Sequence, residues 1–384
     1  MPLFPFYSLI LFCYAALRLL PGLPLSRKNK IAAALLMLLA SVYHLISRYV
    51  MGSLASPELP VPVLLLQGWL YFAMIFLCLM LLLRDAALII LWLCRKAGLA
   101  ARLPLSPLRQ AGVMVGIALM LSAYGVWQAV RPPEARSVEI TLPGLPAELD
   151  GFTLAHITDL HASSLFRAPR IQTVVDTVMA MRPDVIVASG EFVDGSVEIR
   201  RPDVAPLAGL TAPHGVFSCI ANHEYFSDYH EWVAHLTELG VTMLSNRHVV
   251  LDVNGALLVI AGTTDPVAGR FDLPGPDLGA ALAGSPENAI RILLEHRPGF
   301  ARENAAKGIH LQLSGHTHGG HMPGFKRIVA RYNNGFVSGL YQVGEMQLYV
   351  NHGAGLWSGF PMRLNAPSEV TRIVLRKRSP YTLL

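Results

Sequence analysis

Five short clusters in this 384-residue chain bring together side chains that can hold metal ions: Asp159-Leu160-His161, Gly190-Glu191, Asn222-His223-Glu224, His296, and Gly315-His316-Thr317-His318. Carboxylate, imidazole and amide oxygen suit hard or borderline divalent ions such as manganese, iron, zinc or nickel, and not a soft thiolate site. In Asp-x-His and His-x-His, two side chains of one extended turn point the same way, because alternate residues share a face. Two ions about 3.5–4 Å apart can clamp the attacking and leaving oxygens of a phosphoryl displacement.

Elements of regular structure must carry these clusters. Short apolar runs that read as strands precede four of them: Thr153–Ile157, Val185–Ala188, residues 216–220 and residues 310–313. His296 follows residues 288–294, which read as a helix. A further strand is expected at 257–261, and helices at 171–181 and 230–239. Strands alternating with helices predict an α/β layered sheet. Strand ends are where open α/β sheets place their ligand sites. Asp194 reads as a loop residue, with a ligand role as the alternative, and His156 and His310 as parts of buried strands and their ends. His321 and His352 read as loop polarity, with a phosphate contact as the alternative for His321. Arg331, Tyr332 and Asn333 are polar candidates for substrate selection.

In this order, the five clusters resemble the calcineurin-like metallophosphoesterase superfamily. The stretches Ile157-Thr158-Asp159-Leu160-His161 and Leu313-Ser314-Gly315-His316-Thr317-His318-Gly319-Gly320 look like its bacterial membrane-associated branch. So does the tail from Gly353-Ala354-Gly355-Leu356 through Arg363 to Pro367-Ser368-Glu369. The likeness covers roughly residues 138–378. Any one motif is weak evidence, whereas five in order are specific.

The resemblance implies a layered β-sandwich flanked by helices over residues 138–384. It implies that Asp159, His161 and His318 hold one divalent ion and that Asn222, His296 and His316 hold a second, with manganese favoured. Glu191 takes the place of the bridging carboxylate. A metal-bridging hydroxide would attack phosphorus in line, with His223 beside the leaving oxygen as general acid or transition-state stabiliser. The implied activity is hydrolysis of a phosphoester, phosphodiester or pyrophosphate in a phosphorylated small molecule or lipid. Two positions depart from the family pattern: Glu191 stands where Asp is usual, and Ala221 where Gly usually precedes the Asn. Glu191 supports the alternative of a degenerate metal- or phosphate-binding membrane sensor or scaffold with little turnover.

Composition supplies the rest of the chain's character. Hydrophobic residues make up 53% and charged residues 15%, against roughly 25% charged in an ordinary soluble protein. The apolar excess lies in four stretches at about 3–20, 31–51, 61–83 and 112–130, near the roughly 20 residues that span a bilayer. The first has no basic start or small-residue cleavage site, so it reads as a retained helix. Residues 1–130 form an expected multi-pass membrane domain of about four helices, 131–137 a linker, and 138–384 the second domain.

The chain's net charge of +5 divides unevenly. Residues 1–130 carry 10 Lys/Arg against 2 Asp/Glu, and the remainder 21 against 24. The basic excess therefore reads as membrane topology, with no nucleic-acid partner expected. Arg27, Lys28 and Lys30 follow the first stretch, and Arg84, Arg95, Lys96, Arg102 and Arg109 lie between the third and fourth. Residues 52–60 have no Lys or Arg. Basic loops stay in the cytoplasm, which places everything after Val130 outside it, on the periplasmic side of a bacterial inner membrane. The four cysteines read as small hydrophobes. His44, inside a span, reads as interhelical packing, with a functional role as the alternative.

Overall fold

The structure, a computed structural model, describes residues 4–53, 56–99 and 105–378. Arg102 of the topology reading lies outside them. The chain divides into two units. The first, Met1–Gln128 with Gly359–Met362, contains α1 (Phe4–Leu19), α2 (Arg27–Met51) and α3 (Val61–Lys96), and nearly all of α4 (Pro107–Val130). Of these, α2, α3 and α4 are long and apolar enough to cross a membrane, while α1, at 16 residues, is shorter. Polar contacts tie the helices where side chains have few other partners. Arg18 of α1 grips Asp85 of α3 with two bonds of 2.6 and 2.7 Å, and Tyr14 donates to the same carboxylate. Trp69 of α3 donates to Leu119 O of α4 at 2.9 Å, and Ser122 returns a bond to Trp69 O.

Arg84 and Asp85 do not end the third helix, which runs unbroken for 36 residues. At 1.5 Å per residue, α3 is about 54 Å long, well beyond a hydrocarbon core of about 30 Å. Arg84, Arg95 and Lys96 therefore belong to α3 and not to a loop, just as Arg27, Lys28 and Lys30 lie in the first turn of α2 and Arg109 in that of α4.

The second unit, Ala129–Ser358 with Arg363–Leu384, opens on β1 (Glu134–Leu142). Regular structure thus begins inside the stretch expected to be linker. The elements that follow are β2 (Thr153–Ile157), α5 (Ala168–Ala180), β3 (Val185–Ala188), α6 (Val197–Val204), β4 (Val216–Ser218), α7 (Asn222–Phe226), α8 (Tyr229–Glu238) and β5 (Thr242–Met243). Next come β6 (Arg247–Val253), β7 (Ala256–Gly262), α9 (Leu278–Leu282), β8 (Ile290–Leu294), α10 (Ala301–Ala305), β9 (Leu311–Ser314), α11 (Phe325–Tyr332), β10 (Gly339–Val343), β11 (Met346–Val350) and β12 (Glu369–Lys377).

Two six-stranded mixed sheets form, in the orders β1-β12-β2-β3-β4-β5 and β10-β11-β9-β8-β7-β6. In β3, Val185 and Val187 face the other sheet, while Ile186 and Ala188 face the helices. This is the two-residue alternation of a strand covered on both sides. Leu154, Phe217, Ile260, Ile292 and Leu313 fill the space between the sheets. α5 and α8 cover one outer face through Ile171, Val174, Trp232 and Leu236, and α9 and α10 cover the other through Leu278 and Ala301. The result is the expected α/β layered sandwich flanked by helices.

One expected element is wrong. Residues 290–294 are a strand, β8, hydrogen-bonded in parallel between β7 and β9. Ile290-Arg291-Ile292-Leu293-Leu294 is a short apolar run, and such a run has no period that separates a buried strand from a helix. His296 therefore follows a strand, as the other four clusters do.

Candidate metal centre

The five clusters occupy the turns after β2, β3 and β4 of one sheet and after β8 and β9 of the other. Parallel neighbours β2-β3-β4 and β8-β9 bring their C-terminal ends side by side. The turns are sharp. Asp159, His161, Glu191, His316 and His318 all have positive φ, between 47° and 68°. Each such residue costs about 1–3 kcal/mol, a strain that gathers where structure serves a site. Cross-loop bonds hold the strained turns: Asp159 N donates to Gly190 O, and His161 N to Glu191 O. Asp159 is also boxed in by glycines. A Cβ on Gly315 would lie 2.2 Å from Asp159 Oδ2, and one on Gly353 2.6 Å from Asp159 Cβ. Ala221 has φ −105°, an extended conformation that accommodates its methyl group where the family usually has Gly.

All seven predicted ligands converge. Asp159, His161, Glu191 and His318 form one group of possible metal ligands, and Glu191, His296 and His316 a second. Glu191 belongs to both, with Oε2 at 3.1 Å from His161 Nε2 and 3.5 Å from His296 Nε2. His161 Nε2 lies 3.3 Å from His318 Nε2, and His296 Nε2 3.2 Å from His316 Nδ1. Asn222 Nδ2 donates to Glu191 Oε1 at 2.9 Å. His296 Nδ1 donates to Ser189 O at 2.9 Å, which leaves Nε2 facing the cluster.

Burial and mutual charge perturb these groups strongly: against burial, Asp194 and Glu191 raise His161 well above the usual imidazole value, and Glu191 and Asp159 raise His296 to about 9. Burial and the neighbouring Glu191 carboxylate push the Asp159 carboxyl up to about 7. Burial opposes ionisation of Glu191 too, but the imidazoles of His223, His161 and His296 outweigh it and hold that carboxyl well below its ordinary value. Burial keeps His316 and His318 well below the usual imidazole value, in the neutral form that binds metal. Glu191 Oε2 and Asn222 Oδ1 are buried without a hydrogen bond. An oxygen left so costs roughly 1–3 kcal/mol, more if charged. A divalent ion fits these residues, because it would take up both oxygens and the facing imidazole nitrogens.

Three residues that the sequence reading named without a supporting role hold the cluster, and Asp194 also forms a further group of possible metal ligands with His161 and His223. Asp194 Oδ1 bonds Nδ1 of His161 at 3.0 Å and, more closely, Nδ1 of His223. It thereby turns both Nε2 atoms inward, and His223 Nε2 lies 3.3 Å from Glu191 Oε1. Glu224 accepts from the backbone N–H groups of Ala221, Glu191 and Phe192, clasping two of the turns. Arg363, fully buried, donates to the carbonyls of His352, Gly355 and Ala366 at 2.7–2.9 Å and stands 3.4 Å from His318 Nδ1. The Asp194 spacing, three residues after Glu191, was a visible signal; Glu224 and Arg363 offered only membership of a motif.

Other flagged residues fall near or away from the cluster. The His321 ring sits 5.0 Å from that of His318. His352 bonds Pro367 O and lies under Gly319, a packing role. His156 bonds Ser189 Oγ between the sheets, and His310 accepts from Arg291 N. Arg331 and Tyr332 are exposed on α11, whereas Asn333 is buried and caps that helix through Val329 O.

A layered α/β sandwich with Asp, His, Glu and Asn ligands gathered at its strand ends defines a metallophosphoesterase. Residues 152–320 match the family model for calcineurin-like phosphoesterases. Over 318 residues the chain is 33% identical to a Bos taurus "transmembrane protein with metallophosphoesterase domain", covering 78% of this chain and 70% of that one. It is 30% identical to the uncharacterized metallophosphoesterase YkuE of Bacillus subtilis, covering 66% of this chain and 90% of the relative. This chain belongs to the calcineurin-like phosphoesterase family, whose members are metal-dependent hydrolases of phosphoric esters. Among solved structures it is similar to a 5'-nucleotidase precursor from Thermus thermophilus, with 15% identity and a TM-score of 0.38 over 58% of this chain and 54% of that one.

Proposed function

We propose that this protein hydrolyses a phosphoester, phosphodiester or pyrophosphate bond in a small molecule or lipid headgroup at the extracytoplasmic face of a bacterial inner membrane. The observation that carries this reading is Glu191, whose carboxylate is shared between the two ligand groups. Asp159, His161 and His318 would hold one divalent ion, and Asn222, His296 and His316 the other, with manganese favoured. Divalent ions held there would neutralise phosphate oxygens and make hydroxide available near neutral pH.

The chain's own residues would do the remaining work. His223 is raised above the ordinary imidazole value, because Glu191 and then Asp194 overcome the effect of burial. The shift favours the protonated imidazole, which can give its Nε2 proton to the leaving oxygen. Asp194 keeps that ring aimed. Glu191 is one methylene longer than the usual Asp, yet its Oε2 comes within 3.1–3.5 Å of imidazoles on both sides, which favours turnover over a silent sensor site. The uneven distribution of basic residues near the ends of the helices in the first unit supports the extracytoplasmic placement, and the domain's acidic balance speaks against nucleic acid.

Hydrolysis of aryl phosphate mono- and diesters by the manganese-loaded full chain in detergent tests the reading. Turnover is expected, lost on chelation and restored by the ion. His223→Asn should lower kcat by about 10²–10⁴-fold. If neither the wild type nor Glu191→Asp turns over either ester with manganese, iron, zinc or nickel, the reading is wrong.

A further inference from the structure

The helix that follows the His318 turn is built unlike the others of the second unit. In Phe325-Lys326-Arg327-Ile328-Val329-Ala330-Arg331-Tyr332, none of the eight residues is buried. At 100° per residue, Phe325, Ile328, Val329 and Tyr332 fall within one arc, and Lys326, Arg327 and Arg331 on the opposite side. Tyr332 is 81% exposed, Ile328 51% and Phe325 41%. A helix of a globular domain normally turns such an apolar stripe inward. A stripe left outside, backed by basic residues, is the pattern of a helix lying in a membrane interface. The chain carries helices long and apolar enough to span a bilayer, the last ending at Val130, four residues before β1. The domain is thus tethered within reach of a lipid surface.

We propose that α11 docks on an anionic phospholipid surface, with its apolar stripe at the boundary between headgroups and acyl chains and its three cations among the phosphates. The charge on the helix selects this occupant: three basic residues and no acidic one complement anionic lipid. The same helix packs on the turn that carries His318. A Cβ on Gly320 would lie 2.8 Å from Lys326 Cα, so the turn that carries His318 packs directly on the first turn of α11. The His321 ring lies between them, 5.0 Å from that of His318 and 6.1 Å from that of Phe325. Docking would therefore bring phosphorylated headgroups to the edge of the cluster. The membrane contact itself does not depend on hydrolysis.

A nitroxide probe in the full chain tests this without any turnover. The label is placed by Ile328→Cys, with Lys307→Cys as an exposed control site, after replacing Cys13, Cys78, Cys94 and Cys219 by Ala. The protein is reconstituted in phosphatidylcholine nanodiscs with or without phosphatidylglycerol. In discs containing phosphatidylglycerol, the label at 328 should collide with oxygen and be shielded from a water-soluble nickel chelate, while that at 307 stays water-exposed. Lys326→Glu, Arg327→Glu and Arg331→Glu together should return the label at 328 to water, with an unchanged spectrum at 307 showing an intact fold. The proposal is overturned if the label at 328 remains as water-exposed as that at 307. It is equally overturned if the label is shielded from both collision partners, which would mean a protein contact.

Discussion

At the scale of single residues, Glu191 lies in both groups of possible metal ligands. Its oxygens reach imidazoles on both sides because the longer side chain starts from a turn held at φ 64°. Removing its charge by Glu191→Gln should reduce metal retention about 10–100-fold, the range seen when the groups around bound ions are changed; metal analysis after dialysis checks this. Asp194 acts through other residues. Its carboxylate helps raise His223, so Asp194→Asn should lower the pKa of that imidazole. If His223 acts as an acid, the alkaline limb of kcat/KM then moves to lower pH, whereas a merely structural role for Asp194 would lower activity equally at every pH.

At the scale of elements, the turns are held by buried charges from the C-terminal tail. Glu369, at the start of β12, accepts from Arg136 of β1 at 2.6 Å and from Tyr349 of β11 at 2.9 Å. Burial opposes its ionisation, but His352 and Arg136 hold its carboxyl below the ordinary value. A depressed carboxyl pKa contributes stability that is present above the unfolded value and lost as pH falls through the folded one. Glu369→Gln should therefore flatten the thermal-stability profile as pH falls below the ordinary glutamate value, while lowering Tm at neutral pH. Arg363→Met would strand the carbonyls of His352, Gly355 and Ala366, at roughly 1–3 kcal/mol each where no water reaches them. A clear fall in Tm with loss of bound metal is expected.

The strands before Asp159, Glu191, Asn222 and His316 were legible because each is a short apolar run ending in polar residues. β8 was not legible, since only its place between β7 and β9 distinguishes it from a helix. The ligands themselves could be read because their types and order are confined to short motifs. Asp194, Glu224, Arg363 and Glu369 act through bonds to distant backbone or side chains, and such bonds leave no period in the sequence. The exposure of α11 was hidden for a related reason: its amphipathic pattern predicts an inward stripe, and only the fold shows that Phe325, Ile328 and Tyr332 stay exposed.

At the scale of the whole molecule, a unit of apolar helices precedes an α/β hydrolase unit, which we propose lies outside the cytoplasm. A cysteine introduced at exposed Glu303 in the cysteine-free chain tests that side. In intact cells it should react with a membrane-impermeant thiol reagent; reaction only after permeabilisation would reverse the topology. Whether the Glu191 carboxylate is shared between two ions is read by anomalous diffraction from crystals grown with manganese. Two peaks are predicted about 3.5–4 Å apart, one beside Asp159, His161 and His318 and the other beside Asn222, His296 and His316, with Glu191 between them. A single peak, or two peaks with Glu191 bound to only one, would contradict the account.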